Sequence, residues 1–313
     1  MAILHKKGTL SGAVGNIVMR TFNSQTVVQA KPKKFKQTPA SKASALEFGL
    51  ASATSLGVRH AIVPACAVSD KKMVNRFNTT ILKAIRSSSK ERGERDLHDG
   101  DLSHLKGFQF NANSPLTDVL SVRPESSMPA PDKIRVSIPS FSLRSVKGWR
   151  VDDFCRVRLL VTAFHFKEKW AEFIGHEDIE ITSIKEPFEA REWLFEHLPV
   201  GCVIIVTVSI HAFTTNLLRE RVELNSRDWS PAEIIGAYHT LDENGETLVS
   251  SMTERNIQDR AHLLHYTGND ILKAFQELWE IHGKPEKPKP QPPGKSLELK
   301  IPIGRFELKQ QPK

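Results

Sequence analysis

The stretch Val200–Phe213, VGCVIIVTVSIHAF, is the longest apolar run of the 313-residue chain and determines the fold class. Branched apolar residues recur at every second position, at Ile204, Val206, Val208 and Ile210. Thr207, Ser209 and His211 lie between them. A period of two predicts a strand with one buried and one polar face. The run is shorter than the roughly 20 residues that span a bilayer, so no membrane span is expected.

Shorter strand-like segments lie on both sides of this run. They are Gly107–Asn111, Thr117–Val122, Asp132–Phe141, Cys155–Phe166, Glu177–Ile184 and Glu233–Thr240. They do not alternate with helical segments, which argues against a parallel sheet. The region 105–240 is therefore predicted to be an antiparallel β-sandwich, of jelly-roll or immunoglobulin-like type.

Two helices precede the sandwich in the region 38–104. Thr38 followed by Pro39 is typical of a helix start. A second helix is expected to begin at Ser69 or Asp70, because apolar residues follow at helical spacing, at Met73, Phe77, Ile81 and Ile85. The pattern predicts a helical hairpin that ends in an exposed charged loop at 87–101.

Two further segments follow the sandwich. The region 241–283 is expected to contain a helix that starts at Asn269 or Asp270 and stops at Gly283. The region 284–313 begins with the polyproline-like tether KPEKPKPQPPGK. It ends in SLELKIPIGRFELK, whose alternating apolar residues predict a strand. The whole chain is thus predicted to be an α+β protein with a tethered terminal strand.

The amino-terminal region 1–37 predicts a β-hairpin arm. GNIVMRTF (Gly15–Phe22) and TVVQAKP (Thr26–Pro32) are rich in β-forming residues and are separated by a short Asn-containing loop. An isolated two-stranded hairpin is marginal in water. The arm is therefore expected to pack on the rest of its chain or on a neighbouring copy.

The positive charge of the chain is concentrated in this region. The net charge is +8, and residues 1–46 hold eight of the 44 basic residues and no acidic residue before Glu47. The remaining 36 basic residues balance the 36 acidic ones. Such segregated charge fits a phosphate backbone or an acidic protein surface, and it equally fits a solvated arm.

The cysteines and the amino terminus indicate a cytoplasmic protein, or a particle assembled in the cytoplasm. Cys66, Cys155 and Cys202 are odd in number and far apart, which argues for reduced thiols rather than a disulfide framework or a zinc site. The first residues lack the apolar core of a secretion signal.

No catalytic signature is present in the sequence, so an enzyme, a cofactor and a metal site are not expected. The densest polar cluster is RDLHDGDLSH at 95–104, with Asp96, Asp99 and Asp101 as potential oxygen ligands. It lacks the calcium-loop spacing and its closing glutamate, so a solvated loop is the better interpretation. His165 and His211 lie in strand patterns and are interpreted as structural.

Two motifs resemble an uncharacterised family of Bacteroidota-type bacterial proteins. One is KKGTLSGAVGNIVMRTFNSQTVV (Lys6–Val28) with the helix entry QTPAS. The other is GFQFNANSPLTDVL (Gly107–Leu120), followed by VSIPSF. The resemblance covers about the first half of the chain and implies a glycine-punctuated hairpin and a β-sandwich. It implies no activity and no catalytic residues.

These patterns favour a non-enzymatic structural protein that self-assembles through its terminal arms into a shell, tube, filament or virion-like coat. Its partners would be copies of itself. The candidate assembly residues are Ile17, Met19, Phe22, Val27, Val28, Leu297, Leu299, Ile301, Ile303, Phe306 and Leu308.

Two alternatives stay open. The first is a nucleic-acid-binding accessory protein, which would bind phosphates, or an acidic protein surface, through Lys31, Lys33, Lys34 and Lys36. The second is a sandwich hydrolase or carbohydrate-binding module with a site near His165 or His211.

Overall fold

The computed structural model describes residues 2–5, 8, 10–22, 25–31, 36–66, 68–142, 154–181, 187–240, 260–263 and 265–284. The predicted tether beyond Lys284, the predicted terminal strand and residues 241–259 lie outside these ranges. Lys33 and Lys34 also lie outside them. Within the described ranges the protein is a mixed α+β fold with antiparallel sheets.

Four α-helices occur in the described residues: α1 (Pro39–Ala61), α2 (Met73–Arg86), α3 (Leu116–Val119) and α4 (Gly268–His282). The predicted start of α1 is confirmed, because the Thr38 side chain accepts a hydrogen bond from the backbone N–H of Ser41. Gly283, with φ 72°, follows α4 as predicted. Two short 3₁₀ helices, Leu97–Asp99 and Leu102–Leu105, follow α2.

The amino-terminal sheet is a four-stranded meander in the order β1-β2-β3-β4. Its strands are β1 (Ala2–Leu4), β2 (Leu10–Val14), β3 (Ile17–Phe22) and β4 (Gln25–Ala30). The predicted hairpin is its β3–β4 pair, with Met19 opposite Val28. The tight β2–β3 turn at Gly15 and Asn16 uses φ 57° at Gly15, a value that glycine adopts at little cost.

A six-stranded sheet forms the centre of the fold, in the order β11-β10-β7-β8-β13, with β12 paired to β10. Its strands are β7 (Phe154–His165), β8 (Trp170–Ile181), β10 (Val203–Thr215), β11 (Arg221–Glu223), β12 (Ala232–His239) and β13 (Arg260–His262). The stretch that opened the sequence analysis is β10. It pairs with β7 on one side and with β11 and β12 on the other.

A three-stranded sheet in the order β5-β6-β9 completes the fold. Its strands are β5 (Glu125–Ala130), β6 (Lys133–Ile138) and β9 (Arg191–Phe195). The alternation predicted for β6 is confirmed, because Ile134, Val136 and Ile138 are buried.

Two hydrophobic cores lie on opposite faces of the six-stranded sheet. In one core, Val203 and Ile205 of β10 pack with apolar residues of α1 and α2, such as Leu50 and Phe77. In the other, Ile204 and the alternate residues that follow it pack with the apolar residues of β6. Strand β10 is therefore covered on both faces, since the helices bury the face that its polar residues had predicted to be open.

Three local predictions are wrong. The segment 117–122 contains part of helix α3 rather than a strand, because Pro115 precedes a turn that buries Leu116 and Val119. The segment 107–111 contributes one isolated bridge at Gln109. The charged loop at 87–101 is not simply exposed, because Leu97 is buried in the helical core.

The cysteines are thiols with buried or half-buried side chains. Cys155 and Cys202 are buried and Cys66 is intermediate. Burial raises the pKa of the Cys66 and Cys155 thiols to about 12. Among the described residues, no helix combines the length and apolar character needed to cross a bilayer.

Candidate functional site

The amino-terminal sheet, residues 2–30, is held by its own strand pairing and not by a hydrophobic core. None of its described side chains is classed as buried, and none belongs to a hydrophobic core. Large apolar side chains on it are instead open to solvent, among them Leu4 (68%), Phe22 (65%) and Val28 (56%). Exposed apolar surface of this kind is typical of an interaction surface.

The register divides the side chains of this sheet between two faces, because residues opposite each other in a ladder share a face. We call the more apolar one the apolar face. Its large side chains are Leu4, Leu10, Val14, Ile17, Met19 and Val28. The opposite face mixes apolar residues with polar ones, namely His5, Ser11, Arg20, Gln25 and Gln29.

The predicted assembly residues of the arm are divided between the two faces of the sheet. Ile17, Met19 and Val28 lie on the apolar face, whereas Phe22 and Val27 lie on the opposite one. The other predicted assembly residues belong to the carboxy-terminal region and lie outside the described residues. They are Leu297, Leu299, Ile301, Ile303, Phe306 and Leu308. Of the four predicted phosphate-binding lysines, Lys31 and Lys36 are described, and both are exposed.

The polar cluster at 95–104 forms helix caps. The Asp96 carboxylate accepts a hydrogen bond from the backbone N–H of His98, and Asp101 caps the next 3₁₀ helix in the same way. Asp99 pairs with Lys90 at 2.5 Å. Across the described residues, no three His, Cys, Asp or Glu side chains are grouped as a metal ion would require.

Burial shifts the pKa values of Asp96 and His98 in opposite directions, because it disfavours the charged form of each. Burial and the neighbouring charge of Asp99 raise the pKa of Asp96 to about 6. Burial, with His165 and Lys167 nearby, lowers the pKa of His98 to about 3. The His98 ring is thus neutral, and its Nε2 accepts the backbone N–H of Phe166 at 3.1 Å.

His165 is buried beside this cluster. Its ring stacks on Trp170, with ring centroids 5.3 Å apart, and its Nδ1 accepts the backbone N–H of Glu168 at 3.1 Å. These contacts fix the turn between β7 and β8. They agree with the structural role that the sequence predicts for this histidine.

His211 lies in a chain of hydrogen bonds that sequence reasoning missed. Its Nε2 lies 3.0 Å from Oγ of Ser209, and its Nδ1 lies 2.8 Å from Oε1 of Glu223. A hydroxyl, an imidazole and a carboxylate in this order have the connectivity of a hydrolytic triad. Ser209 is only 1% exposed, however, so the hydroxyl is closed to solvent in this conformation.

A separate set of contacts ties the β10–β11 hairpin to β7 and β8. Glu180 of β8 accepts hydrogen bonds from Arg156 at 2.8 Å and from Arg221 at 2.7 Å. The Arg221 guanidinium also lies over the Phe154 ring, 4.6 Å from its centroid. The arrangement can therefore hold the hairpin in a fixed direction.

The tip of this hairpin carries the two most exposed large apolar residues among those described. Leu217 and Leu218 are 104% and 78% exposed. The sequence signal that was missed is a pair of adjacent leucines between Asn216 and Arg219, where a polar turn is expected.

A cavity of about 160 Å³ lies beside β12. Its walls include the aliphatic residues Leu116, Leu120, Val122 and Ile235, together with Arg123 and Glu233. Glu233 is 2% exposed, and its carboxylate accepts hydrogen bonds from Gln109 at 2.6 Å and from Arg123 at 3.2 Å. The cavity thus has a mixed lining, in which aliphatic side chains lie beside Thr117, Ser121 and the Arg123–Glu233 ion pair.

Comparison with known proteins identifies no relative of the chain: no family model, no curated protein and no solved structure matches it. The resemblance to a Bacteroidota-type family stays a prediction.

Proposed function

We propose that the protein is a non-enzymatic structural protein that assembles with copies of itself, and that the amino-terminal sheet is the surface through which copies attach. The observation that carries the proposal is the exposed apolar face of that sheet. A sheet needs a covered hydrophobic face for stability of its own. Within the part of the chain that the structure describes, Leu4, Val14, Ile17 and Val28 on this face stay open to solvent.

The proposed occupant is the same face of a second copy. Two apolar faces stacked about 10 Å apart would bury each other's side chains, as the inner faces of a β-sandwich do. The two sheets of the body, residues 39–282, share a core in this manner, and we propose that they form the predicted sandwich. An apolar partner is favoured over nucleic acid, because none of the described residues on the apolar face is basic.

The size of this contact has a consequence for the assembly. Four strands about 4.8 Å apart and about 17 Å long give roughly 300 Å² per face, or roughly 600 Å² for the stacked pair. That area gives a gross gain on the order of 15 kcal/mol, against association costs of about 4–15 kcal/mol. Stable interfaces bury about 1,200 Å² or more, so each copy needs a second contact to form a lasting assembly.

The test compares two single substitutions in β4. Val28→Lys places a charge on the apolar face, whereas Gln29→Lys places the same charge on the opposite face of the same strand. We expect the full chain to form large particles by light scattering and negative-stain imaging. Val28→Lys should reduce the population of large particles at least tenfold. Gln29→Lys should leave that population unchanged.

The nucleic-acid-binding hypothesis predicts different results for the same two variants. If the arm binds phosphates, both added lysines should strengthen binding to a single-stranded oligonucleotide, and alanine at Lys31 and Lys36 should weaken it. A chain that stays monomeric at high concentration, with both β4 variants behaving like it, would refute the assembly proposal.

A further inference from the structure

The β10–β11 hairpin tip is built to present two leucines. The Asn216 side chain accepts the backbone N–H groups of Leu218 and Glu220 at 2.9 Å each, and its amide donates to the Glu220 carboxylate. Two backbone hydrogen bonds close the same turn. Arg219 adopts φ 62°, a left-handed conformation that is unfavourable for a residue other than glycine.

This degree of order is not expected for a turn whose leucines are largely open to solvent. An ordered turn loses the conformational entropy that a flexible loop keeps. The turn also holds Leu217 and Leu218 in water, so their apolar surface contributes no free energy of burial to folding. Preorganised, exposed apolar anchors are instead typical of residues that insert into a partner's pocket.

The same chain offers a pocket that matches a leucine side chain in size and has aliphatic residues on part of its wall. The cavity beside β12 measures about 160 Å³, and a cavity of about 150 Å³ lined by aliphatic side chains accommodates a benzene-sized group. A leucine side chain is of that size. Arg123 on the pocket wall is 58% exposed, and the tip carries Glu220 as a residue of opposite charge.

The tip cannot reach the pocket of its own chain. Glu233 on the pocket wall pairs with Val208 in the middle of β10, and the strand continues to Thr215. Seven residues at about 3.3 Å each separate these points by about 23 Å, along a strand held on both sides. The leucines lie beyond that end, so the contact requires two copies.

We propose that the Leu217–Leu218 tip of one copy docks on the pocket walled by Leu116, Leu120, Val122 and Ile235 of the next copy, with one of the two leucines inside it. This inference rests on the proposed function and supplies the second contact that it needs. Tip and pocket are different surfaces, so the contact either repeats head-to-tail as a ring or an open filament, or is exchanged between two copies about a two-fold axis. Combined with a symmetric contact between amino-terminal sheets, it links copies in more than one direction.

Cross-linking between differently tagged copies tests the geometry. Leu218→Cys in one copy and Thr117→Cys, on the pocket wall, in the other should form a disulfide under mild oxidation. The control pair is Leu218→Cys with Glu277→Cys, an exposed position on α4. We expect at least tenfold more cross-linking for the first pair. Equal yields for the two pairs would overturn the inference.

A charge substitution tests the contribution to assembly. Leu217→Asp combined with Leu218→Asp should shorten or dissociate the particles, whereas Ile281→Asp, at an apolar position 74% exposed on α4, should not. All these positions are exposed, so unchanged urea unfolding is expected and checks the fold.

The outcomes separate this inference from the proposed function. Particles that persist in the tip variant but are lost in Val28→Lys would overturn the tip contact and leave the sheet contact standing. Particles lost in the tip variant but retained by Val28→Lys would do the reverse. If the tip instead mediates sedimentation with phosphatidylserine vesicles, without cross-linking to Thr117→Cys, the tip binds a membrane surface and the inference fails.

Discussion

Replacing Glu47 with glutamine should destabilise the protein by about 3 kcal/mol. Glu47 of α1 is 2% exposed, and its carboxylate contacts three arginines: Arg86 at 2.9 Å, Arg92 at 3.5 Å, and Arg95 through both Nε and Nη2. The carboxylate thus joins α1 to the end of α2 and to the segment that follows it.

The magnitude follows from the exposure of each partner. The Arg95 side chain is 15% exposed and loses a two-pronged, charge-assisted contact, worth about 2–3 kcal/mol. Arg86 and Arg92 are 46% and 36% exposed, so water replaces much of what they lose, and together they add about 0.5–1 kcal/mol. The sum lies at the lower edge of the 3–5 kcal/mol typical of a broken buried pair.

The assay is urea unfolding of the full chain, followed by tryptophan fluorescence and circular dichroism. Glu277→Gln on the exposed side of α4 is the matched control and should change the free energy of unfolding by less than about 0.5 kcal/mol. A loss below that limit for Glu47→Gln would refute the assignment of stability to this cluster.

The pH dependence provides a second check on the same variant. Burial acts to raise the pKa of Glu47, but hydrogen bonds from Arg95 and Arg86 and the charges of Arg95 and Arg92 outweigh it and lower the pKa. A lowered pKa means that the contribution is complete above the unfolded pKa of about 4.3 and is lost as the pH falls through the folded value. The gap between wild type and variant should therefore narrow below about pH 4.

Two further substitutions give opposite signs to the first. Asp96→Asn should stabilise the protein by about 2–3 kcal/mol at pH 7.5 and not at pH 4. The raised pKa of Asp96 means that folding favours its protonated form, and this contribution to stability is lost as the pH rises through about 6. Urea unfolding from pH 4 to 7.5 measures the difference between variant and wild type, and a pH-independent difference would contradict the prediction. Thr207→Val should stabilise the protein by about 1 kcal/mol, because the buried Thr207 hydroxyl has no hydrogen-bond partner among the described residues. Thr215→Val, at an exposed position of the same strand, is the control. A loss of stability in Thr207→Val would show that the hydroxyl is hydrogen-bonded.

The sequence predicts those parts of the fold that depend on local signals. The Thr38–Pro39 pair marks the start of α1, and the stripe from Met73 to Ile85 marks the buried side of α2. The alternation in Lys133–Ile138 marks the buried side of β6. In each case the spacing of a few neighbouring residues fixes both the element and its buried face.

The predictions fail where a distant element decides the environment. The polar residues Thr207 and Ser209 predict an open face for β10, yet the helices that cover it lie more than 100 residues earlier in the chain. The contact of His211 with Glu223 depends on the register of the β10–β11 hairpin, which periodicity does not reveal. The candidate pocket combines α3 with β12, which are also far apart in sequence.

The separation between the amino-terminal sheet and the cores has an evolutionary consequence. No described side chain of residues 2–30 contributes to the buried interior of the body. Under the proposed function, a substitution on the sheet can therefore change what a copy attaches to without a penalty in the stability of residues 39–282. Natural selection can thus alter the proposed attachment surface and conserve the body independently, so the two parts of the gene are expected to diverge at different rates.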